Sequence, residues 1–348
     1  MKRIAALALL LLAACGARDN DGVIVLSYGS QYSPSHPFSR ADIAWMNFVS
    51  EESKGAIRIK PYWGGGLLSA EESMLEVRHG VVDIGLVTPI YLRAGAHMLR
   101  TQAGFYGGSR GYDDQLAVYR CISEEFPDFA HEMAGLKVFA VQGGNLPGVL
   151  TRSKPVATLE DFRGLRLRAP VELTPVLKEL GADPVNMPMG EVYSALAKGV
   201  IDGVVAPADT LQSLHFNEVA KHFSTVTFAR GAYPARAMSL EVWDRLPAGA
   251  KDVLERSIPV WEEAMKKEIT SAQQKGEDFG RETGINFVAF DARDQARLDE
   301  IYNAQALKEA QRLTSVDGGD AAPVLRRAQQ VVAALKAGET SPCSGSQP

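Results

Sequence analysis

Residues 164–207 constrain this chain more than any other stretch. Leu165-Arg166-Leu167-Arg168 alternates as a short strand, and Ala169-Pro170 stops it. A segment of helical period follows and ends at Gly181, a residue suited to a left-handed cap. Residues 183–186 read as a second strand, a helix runs from Gly190-Glu191 to Gly199, and residues 200–205 form a third strand before Pro207. A βαβαβ unit of this kind builds a parallel sheet. Ligands of open α/β sheets sit beyond the carboxyl ends of the strands. Arg168 and the Val205-Ala206-Pro207 loop fall at those ends, so the stretch predicts a binder of a small anionic molecule.

The unit has an echo. Gly80-Val81-Val82-Asp83 leads through a predicted strand to Pro89, as Gly199-Val200-Ile201-Asp202 leads to Pro207. Each follows a helix with a basic residue near its end, Arg78 in one case and Lys198 in the other. Two related lobes are expected. The pattern before the first unit agrees: a continuous apolar strand at 23–28, a helix carrying Phe38, Trp45 and Val49, an alternating strand at 57–60, and a Ser69-Ala70-Glu71-Glu72 capping box opening the next helix. Between the units, helices are read at 115–125 and 128–133 and strands at 136–142 and 149–151. Crossings between lobes are placed at Gly143-Gly144-Asn145 and at 229–234, with a return strand at 235–240. Beyond residue 248 the chain is mainly helical. A long amphipathic helix is expected over 253–283, kinked or restarted at Pro259, then a strand at 285–288 and helices at 292–313 and 321–337. Repeated crossings imply discontinuous lobes and a hinge. The expected division is 23–143 with 234–270 for lobe I, 144–233 with 271–315 for lobe II, and 316–348 for a last helix and tail.

The first residues read as a leader. Lys2 and Arg3 precede an apolar run too short to span a bilayer, which ends Leu12-Ala13-Ala14-Cys15. This resembles a bacterial lipoprotein signal peptide over 1–14, with Cys15 lipidated and 15–22 as a linker. Stable anchoring then needs more than one acyl chain. A net charge of −5, without clustered Lys and Arg, excludes a nucleic-acid binder. Two cysteines remain, Cys121 and Cys343. Export to an oxidising compartment permits a disulfide between them, but sequence supplies no distance, and a buried thiol with a loose tail is the alternative.

Three local patterns invite catalytic readings and fail them. Trp63-Gly64-Gly65-Gly66 lacks the Gly-Lys-Ser/Thr ending of a phosphate loop. Gly107-Gly108-Ser109-Arg110-Gly111 matches the G-x-S-x-G nucleophile pattern, but that chemistry needs a strand before the serine and a helix after it, and the flanks read as loop. An exported hydrolase using Ser109, with His131, His215 or His222 as base, is therefore the weaker alternative. The six His are scattered without an HExxH or CxxC, so no metal site and no cofactor is expected.

The motifs over 155–170, 180–184, 187–196 and 199–203, with His36-Pro37, 63–67 and 80–85 in the first lobe, resemble the extracytoplasmic solute-binding proteins of TRAP transporters, the DctP type. The resemblance implies an α/β, two-lobed periplasmic binding protein-like fold, with mixed sheets flanked by helices and long C-terminal helices bracing both lobes. It implies a periplasmic receptor, not an enzyme, that closes on a small organic acid. The receptor then delivers that acid to a small and a large membrane subunit of an ion-driven transporter. A receptor feeding a signalling partner would share the fold. Membrane contact is expected through the lipid anchor alone.

Arg168 matches the family's ligand-carboxylate arginine. A guanidinium presents a planar fork that meets a carboxylate with two hydrogen bonds. Its structural alternative is an ion pair with Glu172 or Glu191, and Arg166 shares its strand face. Two positions depart from the family's pattern. Ala206 stands where many members carry Asn, and Gly148 where many carry a second Arg. The clamp is thereby read as thinned to one arginine, with Asn145, Asp209 or Gln212 as added polar contacts. The remaining candidate ligand contacts are Tyr32, His36, Trp63, Thr88, Tyr91, Ala206 and Tyr233, with Phe216 as a further aromatic.

Overall fold

The computed structural model describes residues 22–317, 320–340 and 343. The expected leader, Cys15, the linker through Asp21 and most of the tail after 340 lie outside the described residues. The first lobe opens with β1 (Ile24–Gly29), α1 (Pro37–Glu52), β2 (Ile57–Tyr62), α2 (Ser73–Arg78) and β3 (Ile84–Leu86). It continues through α3 (His97–Thr101), α4 (Tyr112–Glu125) and α5 (Pro127–Glu132) to β4 (Leu136–Gln142). The chain then crosses to the second lobe. There it forms β5 (Gly148–Thr151), β6 (Arg166–Arg168), α6 (Thr174–Glu179), β7 (Asp183–Val185), α7 (Met189–Ala197), β8 (Gly203–Ala206), α8 (Thr210–Ser213) and β9 (His222–Ser224). It returns as β10 (Tyr233–Ser239) and α9 (Leu240–Arg245). Last come α10 (Ala248–Glu282), β11 (Asn286–Val288), α11 (Ala292–Asp317) and α12 (Ala321–Lys336).

The two sheets have the same plan. One runs β2-β1-β3-β10-β4 and the other β7-β6-β8-β5-β9-β11. In each, three parallel strands in the order second-first-third are followed by one antiparallel strand, β10 or β5. That antiparallel strand is the one the chain makes on crossing over from the other lobe.

The Gly-Val-x-Asp echo marks equivalent corners. Gly80 and Gly199 take φ +73° and +70°, ending α2 and α7. The next N–H, of Val81 or Val200, reaches back to Glu76 O or Ala195 O at 2.9 Å, the 6→1 bond of a Schellman cap. That bond consumes the donor a strand would need. The strands therefore begin at Ile84 and Gly203 rather than at 81 and 200, and both valines stand about half exposed. Asp83 and Asp202 then clamp the neighbouring parallel strand: Ser27 N–H donates to Asp83 Oδ2 at 2.7 Å, and Arg166 N–H to Asp202 Oδ2 at 2.8 Å.

Two other local expectations are corrected. Glu72 N–H donates to Ser69 Oγ, as the capping box requires, but the carboxylate returning to Ser69 N–H is Glu76, and α2 starts only at Ser73. The 35-residue α10 runs through Pro259 without restarting. Its buried face continues on both sides of the proline through Leu254, Ser257, Trp261 and Met265, so packing on α1 holds the turn whose backbone bond proline removes. Trp45 Nε1 of α1 donates to Ser257 Oγ at 2.7 Å within that contact. The other end of α10 packs on the second lobe. A Cβ at Gly276 would stand 2.4 Å from Ala208 O, so glycine is what lets the helix approach. Thus α10 braces both lobes, and α11 touches α3 and α6, one from each.

Cys121 of α4 and Cys343 are disulfide-bonded, with Cα atoms 5.1 Å apart and a sequence separation of 222. The bond fastens the chain end beside α12, which packs on α4. Closing a loop of that length removes about 5 kcal/mol of unfolded-state entropy in the chain-entropy picture. Replacing Cys343 with Ser should therefore lower the thermal midpoint by about 10 °C without altering the circular dichroism spectrum at 25 °C. An unchanged midpoint would mean the bond contributes nothing to the folded body.

Candidate functional site

A cavity of about 80 Å³ lies between the lobes, at the carboxyl ends of the parallel strands. That is room for roughly half a dozen waters. Tyr32 and His36 follow β1, Tyr91 follows β3, Arg168 ends β6, Asp209 follows β8, and Tyr233 starts the antiparallel β10. Asn145, in the first crossing, completes the predicted residues that the fold brings together. Its Nδ2 donates to Ile269 O of α10 at 2.9 Å and to Asp209 Oδ1 at 3.3 Å.

Arg168 is 2 % exposed. Its Nε donates to Met187 O at 3.0 Å in its own lobe, and its Nη2 to Tyr91 Oη at 2.7 Å across the gap. Among the described residues no acceptor takes Nη1. Neither Glu172 nor Glu191 pairs with it, so the structural alternative fails. Arg166, two residues earlier, is exposed and lies 3.4 Å from Asp183 of β7, away from the cavity.

A second arginine, Arg230, lines the same cavity. It lies against Gly144, where a Cβ would fall 2.4 Å from its Cζ. Its Nη1 donates to Asn145 O at a long 3.4 Å. Sequence reasoning missed it because it sits in a crossing segment with no periodicity and no motif; the glycine pair in the other crossing was the only signal. The cavity therefore holds two arginines where the sequence singled out one. Gly148, where the second arginine was sought, pairs with Ala206 in the β5–β8 ladder, and a Cβ there would stand 2.5 Å from Ser224 O.

Two acids also line the cavity, Glu172 and Asp209. Burial pushes both carboxyls up from the usual range, against the pull of Arg230 and, for Glu172, of Arg168. Burial likewise raises the phenols of Tyr32 and Tyr233, which stay neutral donors. The arrangement is two cations, partly offset, among aromatic and apolar walls.

Three predicted contacts lie off this cavity. Trp63 sets its ring edge-on to Tyr28 at 5.6 Å in the first lobe's core. Thr88 Oγ1 donates to Ala70 O at 2.6 Å and so serves the turn before α2. Ala206 is buried with Val192 and Leu196 behind the second sheet. Phe216 belongs to that same core, and Gln212 lines a different surface hollow. Ser109 lies in the loop before α4, and its buried Oγ has no hydrogen-bond partner among the described residues, so none of them stands as its base.

A family profile described as bacterial extracellular solute-binding protein, family 7 (DctP) matches residues 28–312. A solute-binding protein of Albidiferax ferrireducens is 28% identical over 214 residues, which is 59% of this chain and 61% of that protein. The C4-dicarboxylate-binding periplasmic protein DctP of Rhodobacter capsulatus is 21% identical over 310 residues, covering 83% and 87%. Among solved structures, a TRAP solute-binding protein from Rhodoferax ferrireducens in complex with copurified benzoate superposes with a TM-score of 0.82 at 20% identity, covering 91% of this chain and all of that one.

His36 ties the cavity wall to folding. It caps α1: its Nδ1 accepts from Phe38 N–H at 3.2 Å, and Tyr32 stacks on its ring at 4.0 Å. Burial, with the nearby charges of Arg40, Arg236 and Arg230, lowers its pKa to about 3. An unfolded chain takes up this proton near pH 6.5. The folded protein therefore holds the full contribution above that pH and loses it as pH falls toward 3, by up to about 5 kcal/mol. Urea midpoints at pH 7, 5 and 4 should fall in the wild type, and His36→Asn, which keeps a capping side chain, should flatten the decline. Equal slopes in the two proteins would contradict this assignment.

Proposed function

Because the chain belongs to the bacterial extracellular solute-binding proteins of family 7, we propose that it is the periplasmic receptor of a TRAP-type transporter and binds a small aromatic monocarboxylate between its lobes. The family consists of binding proteins, not enzymes. The observation that carries the ligand reading is Arg168: a buried guanidinium held by Met187 O in one lobe and Tyr91 in the other, with Nη1 turned to no acceptor among the described residues. The Tyr91 bond spans the gap, so it latches the lobes when they meet over the ligand. Closure excludes water and strengthens the pair between guanidinium and carboxylate.

The walls favour an aromatic body over a sugar. Tyr32, Tyr91, Tyr233, Phe38 and Leu173 surround the space. Arg230 adds a second donor, while Glu172 and Asp209 would oppose a second carboxylate on the ligand. The benzoate in the Rhodoferax neighbour agrees with this reading; the C4-dicarboxylate of the Rhodobacter relative's name does not. The lobes that move are 23–143 with 234–270 and 144–233 with 271–315, hinged at the crossings. Cys15 carries the lipid anchor after removal of 1–14, and the closed receptor delivers its acid to the small and large membrane subunits.

A thermal-shift comparison tests the ligand class. Benzoate at a hundred times its dissociation constant should stabilise by about 2.7 kcal/mol, a rise of roughly 5 °C. Benzamide should do nothing, and succinate less than benzoate. Arg168→Ala should weaken benzoate binding by about a hundredfold, the loss of one charge-assisted bond or more, and Arg230→Ala by about tenfold, both with folding intact by circular dichroism. Unchanged affinity in Arg168→Ala would remove the assignment.

A further inference from the structure

Two neutral donors of the ligand cavity are left unspent by the fold. Tyr32 and His36 stand in the loop between β1 and α1 and line the cavity together. His36 is 4 % exposed. Its Nδ1 accepts from Phe38 N–H, so the one proton of the neutral imidazole sits on Nε2. The lowered pKa keeps the ring neutral at pH 7. Among the described residues no acceptor takes the Nε2 proton of His36 or the hydroxyl proton of Tyr32. Both atoms stay open to a water-sized neighbour, and the space that both residues share is the ligand cavity. Polar groups inside a fold are nearly always paired, so these two call for an acceptor there.

Packing fixes where the two donors stand. Their rings stack with centroids 4.0 Å apart and 20° between planes. Phe38 meets both at steep angles, 5.4 Å from Tyr32 and 4.8 Å from His36. The cap on α1 then holds the imidazole in place. Two more phenols of the cavity have their oxygens engaged as acceptors. Arg168 donates to Tyr91 Oη, and Gln142 Nε2 donates to Tyr233 Oη. The Gln142 amide has no choice of orientation, because Arg236 can only donate and so takes its Oε1. Tyr91 and Tyr233 thus also offer protons more readily than lone pairs. The arginines meet the ligand's carboxylate, and Glu172 and Asp209 oppose a second one. What suits a neutral donor pair is an uncharged oxygen.

We propose that Tyr32 and His36 form the specificity-determining donor pair of this site, and that its ligand is an aromatic monocarboxylate bearing a carbonyl oxygen as a second acceptor. This deepens the ligand reading given under the proposed function and rests on it. The carboxylate pairs with Arg168, and the carbonyl oxygen accepts from Tyr32 Oη and His36 Nε2. A hydrocarbon acid of the same shape leaves both donors unpaired when the lobes close. Loss of a hydrogen bond that the site is built to make is a stronger ground for rejection than a small change of shape.

The test titrates the full chain calorimetrically with three pairs of acids, each pair differing only in an oxygen replaced by a methylene. The pairs are phenylglyoxylate with 2-phenylacrylate, 3-formylbenzoate with 3-vinylbenzoate, and 4-formylbenzoate with 4-vinylbenzoate, which carry the oxygen at three distances from the carboxylate. At least one carbonyl acid should bind about tenfold more tightly than its methylene twin. Tyr32→Phe should cut that preference to about twofold. The twin's affinity and the circular dichroism spectrum should stay unchanged, since Tyr32 Oη bonds nothing among the described residues. The proposal is overturned if all three pairs bind alike, which would leave water as the partner of the two donors, or if the full preference survives Tyr32→Phe. In both cases the methylene twins still bind and the Arg168 reading stands. Binding by none of the six acids would overturn that reading and the proposal with it.

Discussion

A buried ion pair, Asp42 with Arg236, holds the parts of this protein in relation to one another. Arg236 lies in β10, the strand that returns from the second lobe. It donates to Asp42 of α1 from Nε at 2.7 Å and from Nη2 at 2.9 Å. Asp42 also accepts from Tyr28 Oη of β1 at 2.5 Å and from Trp261 Nε1 of α10 at 2.8 Å. Arg236 donates further to Gln142 Oε1 of β4 at 3.1 Å. Burying two charges is costly unless every lone pair and proton finds a partner. Here the carboxylate takes four donors, and the guanidinium lies 4.9 Å from the Trp261 ring centroid. Gln142 Nε2 passes the network on to Tyr233 Oη at 3.3 Å, and so to the ligand cavity. Breaking such a pair on one side costs about 3–5 kcal/mol, enough to loosen the returning strand, the long brace and one wall of the cavity together. A register irregularity at Arg236 in the β10–β4 ladder turns the side chain inward.

Around this anchor the two lobes repeat one design. A left-handed glycine ends a helix, a valine spends its N–H on the cap, and an aspartate seizes the next parallel strand. The strand that follows ends at the cleft. Because each lobe's antiparallel strand is supplied by a crossing from the other, the crossings lie at the same end as the ligand residues. Asn145 and Arg230, one from each crossing, are therefore both crossing residues and cavity lining.

The βαβαβ unit at 164–207 was legible because its periods change from two to 3.6 at glycines and prolines, and it placed Arg168 at a strand end by geometry alone. The two-lobed plan followed from its echo at 80–89. What escaped was whatever depends on how separated segments meet. Arg230 has no local pattern, and only the folded crossings bring it over Gly144. Glu172, considered in the sequence only as an ion-pair partner for Arg168, is instead a buried carboxyl in the cavity wall. Thr88 and Ala206 sit beside cavity residues in sequence, yet a tight turn or strand alternation points them away from the cavity, and Trp63 packs on Tyr28 in the first lobe's core. The Cys121–Cys343 bond depended on a distance across the fold that no spacing reveals, and there the structure closes the choice that the sequence left open.

The central claim is that the lobes close on one carboxylate gripped by Arg168, with Tyr91 of the opposite lobe bonded to the same guanidinium. A crystal structure of the protein with the acid that stabilises it most tests this directly. The account predicts a carboxylate oxygen about 3 Å from Arg168, Arg230 within reach of the same ligand, and the Tyr91 bond retained. An acid bound elsewhere, with Arg168 contacting only protein, would contradict it.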